Sequence, residues 1–69
     1  MTKQELKNRF TYHAPKGNQA ERYGQLREAA LKFATYACAL TPESREQTRA
    51  LNKVDEAVML FNAAIARNE

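Results

Sequence analysis

Few side chains in this chain are able to do covalent or metal chemistry. There is one cysteine, Cys38, and one histidine, His13. A nucleophile needs a base beside it and a third group to orient that base, and these two residues fall in different predicted elements. A single thiol has no partner for an internal disulfide, and one thiol with one imidazole falls short of a metal site. No glycine-rich phosphate loop and no metal-ligand spacing occurs. The acidic pairs, Asp55 with Glu56 and Glu43 with Glu46, sit among Arg and Lys, where solvated charge or i,i+4 pairing is the usual role. The sequence therefore predicts a protein that is not an enzyme, with no catalytic residue, no metal and no cofactor. Cys38 is expected to be a buried structural thiol.

Binding has better material. The stretch NRFTYHAPKG, Asn8 to Gly17, holds two aromatics, a histidine, a proline and two cations in a segment that fits neither a helical nor a strand period. Phe10 and Tyr12 alternate along it, so one ring is able to anchor the segment while the other faces outward. The alternative is that both rings pin it to the helices. A base stacked on a free ring is stabilised by about 1–3 kcal/mol, and nearby cations, Arg9, Lys16, Arg22 and Arg27, are suited to phosphates. An anionic ligand with flat rings fits this chemistry. Near the end of the chain, Arg67 in Ala66-Arg67-Asn68 offsets a helix macrodipole without any ligand.

These residues must be positioned by helices. Thr2-Lys3-Gln4-Glu5 has the form of a capping box and opens a short helix over residues 1–9, which ends because Pro15 and Gly17 follow. Residues 10–17 form a linker. Asn18, a possible N-cap with Glu21 behind it, opens a helix over 18–40 whose apolar positions, Tyr23, Leu26, Ala30, Phe33, Ala37 and Leu40, alternate in steps of three and four. Thr41-Pro42 supplies an N-cap and a first-turn proline for another helix over 42–67, with Glu43 near its positive end. Ser44 and Gln47 offer a second possible capping box. The seam of that helix is Leu51, Val54, Val58, Phe61 and Ile65. Residues 1–69 are thus expected to form a single all-α domain: a short N-terminal helix, a linker and a long antiparallel helical hairpin.

A hairpin of helices about 35–40 Å long, at about 1.5 Å per residue, is a rod that encloses little. Each helix hides one seam inside the pair. Ala50, Ala57 and Ala64 beside Met59, Leu60 and Ala63 form a second apolar stripe, and Ala29, Ala34 and Cys38 widen the other helix in the same way. Small residues let helices approach closely, so these stripes predict contacts between chains and a homo-oligomer. At 69 residues a lone core only marginally offsets chain entropy, which favours the same outcome. The start of the chain has no apolar leader segment and no long apolar run occurs, so the cytosol is expected and no membrane partner. A formal net charge of +3 favours anionic partners mildly.

Taken in order, NRFTYHAPKG, ERYGQLREAA, LTPESREQTRALNKVDEAVML and the closing AAIARNE resemble the phage family of type-two anti-CBASS proteins. These are nucleotide sponges, related to the hairpin domain shared with the phage anti-Thoeris sponges. The elements RFTYH-x-P, TP-x-SRE and IARN carry the resemblance. It implies a helical homohexamer that captures cyclic oligonucleotide second messengers without cleaving them: cyclic dinucleotides in pockets between protomers and, in some members, cyclic trinucleotides in separate sites. Depleting the free signal would keep CBASS-type antiviral effectors silent, in the cytoplasm of the bacterial host, with no DNA or RNA polymer as partner. Carried to this chain, Tyr12 stacks on a nucleobase and Phe10 packs the linker down. Arg27, with Arg22 competing, approaches the phosphates. Asn8, Gly24, Arg67 and Asn68 fall at the trinucleotide site, Gly24 because a missing side chain lets a ligand approach the helix. His13 orders the linker by hydrogen bonding and contacts ligand secondarily. The competing expectation, from charge and exposed helix faces, is a small basic helical module that binds nucleic acid or protein in the manner of an antirepressor.

Overall fold

The computed structural model describes residues 1–69 and consists of three helices, α1 (Lys3–Phe10), α2 (Gln19–Leu40) and α3 (Arg45–Asn68). The first is closed at its start by the expected capping box. Thr2 Oγ1 accepts from the Glu5 amide at 3.1 Å, and Glu5 Oε2 accepts from the Thr2 amide at 3.3 Å. It ends where Thr11 turns extended. At the start of α2, Asn18 holds the N-cap position but gives the helix no side-chain bond. Its Oδ1 accepts from Arg22 Nε at 3.1 Å instead. Gly17 precedes it at a φ of +57°, a left-handed backbone that glycine adopts without a Cβ penalty.

The turn between the long helices differs from the sequence expectation. The second helix of the pair starts at Arg45 with Ser44 as its N-cap, not at Pro42. The residue before a proline is pushed out of the helical region, so α2 stops at Leu40 and Thr41 is extended. Thr41 then serves the end of α2, donating to the Ala37 carbonyl at 2.8 Å. Ser44 Oγ accepts from the Gln47 amide at 3.2 Å. The Gln47 side chain does not return to Ser44; it donates to Thr41 Oγ1 at 2.9 Å and spans the turn. The capping box is therefore half made, and its other half ties the two helices together.

Helices α2 and α3 pack as a hairpin. Of the predicted seam, Tyr23, Leu26, Ala30 and Ala37 face Leu51, Val54, Val58 and Ile65 at half-burial, while Phe33, Leu40 and Phe61 stay exposed. No apolar side chain is fully buried; the one buried residue is Gln19, at 4% exposure. Cys38, expected to be buried, is half-buried, because two helices cannot enclose a side chain on all sides. The accessible surface is 5863 Å², against roughly 4,400 Å² for a compact monomer of this mass. The radius of gyration is 15.2 Å, where about 11 Å is usual for this length. Of the second apolar stripes, Ala29, Ala50, Met59, Leu60 and Ala64 are exposed, while Ala34, Cys38, Ala57 and Ala63 are half-buried.

Candidate functional site

The linker Thr11–Asn18 crosses the open end of the hairpin, where the start of α2 meets the end of α3. Hydrogen bonds hold it there. His13 Nε2 lies 2.8 Å from the Asn8 carbonyl, and because a carbonyl only accepts, this nitrogen carries the proton and donates. Asn8 in turn donates from Nδ2 to the Arg67 carbonyl at 3.2 Å, and Arg67 Nη2 donates to the Arg9 carbonyl at 3.3 Å. The C-terminal carbonyls of α1 and α3, which have no partners within their own helices, thus receive donors from each other's side chains.

Beneath the linker lies an open cleft of about 380 Å³. Two tyrosines, Tyr12 and Tyr23, and three guanidinium groups, Arg9, Arg27 and Arg67, line it, and none of its lining residues is acidic. None of these three arginines enters an ion pair. Unneutralised guanidiniums converging on one cleft raise the local concentration of anions and offer planar forks to phosphate or carboxylate. Tyr12, 84% exposed, lines this cleft with most of its ring surface open to solvent. Asn62 also lines the cleft, and its Oδ1 is buried without a hydrogen-bond partner. A buried acceptor left unpaired is costly to the folded chain.

At the far end of the linker a second polar cluster forms. Arg22 meets the two carboxylate oxygens of Glu69, with Nη1 donating to Oε2 at 2.9 Å and Nη2 donating to Oε1. The hydrogen bond from Arg22 holds the Glu69 carboxyl below its ordinary pKa, helped by the Arg22 charge, the Gln19 amide and Lys16, and opposed by partial desolvation. The same hydrogen bond raises Arg22. Gln19 Oε1 accepts from the Lys16 amide at 3.1 Å, closing the turn around Gly17.

Of the residues singled out in the sequence, Tyr12, His13, Arg27 and Arg67 come together in the cleft. Gly24 adjoins them; a Cβ there would lie 3.9 Å from Arg27 Nη2 and meet nothing else. Asn8 reaches the group through Arg67. Lys16 and Arg22 lie with Glu69, outside the lining of the cleft, and Asn68 bonds the Ala64 carbonyl at 2.9 Å. Phe10 does not pack the linker down within the chain: it is 82% exposed, at the end of a helix that buries no residue. Tyr23 and Asn62 were absent from the sequence-based candidates. Tyr23 falls on the helical seam and so has the pattern of a core residue, while Asn62 has no sequence signal, since its role depends on the partner it lacks.

A family model described as Acb2/Tad1, hairpin domain, matches residues 2–66. No curated protein and no solved structure matches the chain.

Proposed function

This chain belongs to the Acb2/Tad1 hairpin-domain family, and on that premise we propose that it captures cyclic dinucleotides, holds them intact and so blocks CBASS-type antiviral signalling in the cytoplasm of a phage-infected bacterium. The observation that carries this reading is the cleft in which an exposed tyrosine stands among three guanidiniums that enter no ion pair. A cyclic dinucleotide presents two flat bases and two phosphate charges. A base on Tyr12 accounts for about 1–3 kcal/mol, and Arg9, Arg27 and Arg67 supply charge-assisted bonds to the phosphates.

A ligand of two equal halves is matched by two copies of one cleft related by a two-fold axis. The exposed apolar stripes on α2 and α3 support such association, and we propose a homohexamer with ligands held between protomers. Cyclic trinucleotides, if taken, fall to a separate site with Asn8, Gly24, Arg67 and Asn68 as its residues. Capture is stoichiometric: each ligand removed from solution is one the effector does not receive, and no bond need break.

Purified protein incubated with a cyclic dinucleotide, filtered, then heat-denatured tests this directly. The expected result is release of the same intact molecule, identified by mass. Linear dinucleotide or mononucleotide in the released fraction would move the protein into the enzyme class and defeat the proposal.

A further inference from the structure

Arg67 and Glu69 bond to the helix ends that flank the linker on its two sides. Upstream of Tyr12, Arg67 exchanges hydrogen bonds with Asn8 and Arg9. Downstream, Glu69 takes the Arg22 guanidinium in a two-toothed grip, Arg22 Nε donates to Asn18 Oδ1 at the end of the linker at 3.1 Å, and the neighbouring Gln19 side chain anchors the Lys16 backbone. Gln19 is the most enclosed residue in the molecule. A linker without apolar packing, carrying a ring that is 84% exposed, owes its course to these polar ties.

We infer that Glu69 and Arg22 are positioning residues for Tyr12: their ion pair clamps the start of α2, to which Asn18 and Lys16 at the downstream end of the linker are bonded, against the end of α3, and so fixes where the ring stands over the cleft. This rests on the capture of cyclic dinucleotides proposed above. A ring already placed does not have to be ordered when the ligand arrives, and that ordering cost is what a loose linker adds to binding. Neither Glu69 nor Arg22 lines the cleft, so both act through Tyr12 rather than on the ligand.

Two neutral variants separate this role from a general charge effect. Glu69→Gln removes a negative charge and Arg22→Gln a positive one. If the field of the protein alone mattered, the first would bind a cyclic dinucleotide more tightly and the second less tightly. The clamp predicts that both weaken binding, by about tenfold, and that neither has any effect once Tyr12→Ala is present, because the coupled pair acts through that ring. The charge-exchanged double variant Arg22→Glu with Glu69→Arg, which keeps the net charge, is expected to bind to within about twofold of the parent.

Amide hydrogen exchange over residues 11–17 in the unliganded protein gives a readout independent of ligand. It is expected to accelerate in both neutral variants and to return to the parent rate in the exchanged one. Unchanged exchange rates, or a Glu69→Gln protein that binds as well as its parent, would overturn the clamp. Should the parent bind no cyclic dinucleotide at all, the capture function fails, while the exchange rates still decide whether this pair holds the linker.

Discussion

In the proposed capture Tyr12 is the residue on which affinity turns, because its ring is largely exposed beside the guanidiniums of Arg9, Arg27 and Arg67. Tyr12→Ala is expected to weaken cyclic dinucleotide binding by about tenfold or more, the loss of one stacking contact, as measured by calorimetry. Tyr12→Phe keeps the ring and should retain most of the affinity. The Glu69 carboxylate sets a pH limit on the same ring. Its folded-state pKa lies below the ordinary value through Arg22, Gln19 and Lys16. A depressed carboxylate contributes to the ordered state above its unfolded pKa, and that contribution disappears as pH falls through the folded value. Linker amide protection, the exchange rate compared with the intrinsic rate at the same pH, is therefore expected to stay constant across neutral pH and to fall only in acid, below the usual glutamate range. The Glu69→Gln variant should lack that acid-dependent fall.

At the scale of elements, the ends of the helices matter more than their middles. Ser44→Ala removes the side-chain cap of α3 and should lower stability by about 1 kcal/mol, seen in thermal melting as a drop of roughly 4–8 °C for a domain of this size. The helices themselves were legible in the sequence, because three-four spacing of apolar residues and the Thr2 capping box are local signals. The turn was misplaced by a few residues, since Thr41 and Ser44 are both good N-caps and only the tertiary role of Gln47 decides between them. The site was partly legible. Tyr12, His13 and Arg27 announce themselves by residue type in or beside an irregular segment. The Arg22–Glu69 pair joins the start of one helix to the end of another, and Asn62 is marked by an unmet hydrogen bond; neither has a signature in one dimension.

For the whole molecule, the decisive fact is how much apolar surface remains outside. Phe33, Tyr36, Leu40, Met59, Leu60 and Phe61 are each more than half exposed, and a groove between the long helices is lined wholly by apolar residues such as Leu26, Phe33, Val58 and Phe61. Placing an aspartate at Phe61 is expected to reduce the mass seen by size exclusion with light scattering to that of smaller species, while Tyr12→Ala leaves it unchanged. In the proposed oligomer a chain with no interior of its own borrows one from its neighbours, so its melting point becomes a function of dose: each dilution should lower it. Below some threshold of synthesis the copies would be too sparse to fold durably and would be open to proteases. Above it, folding, survival and ligand capacity would arrive together, as a step rather than a slope.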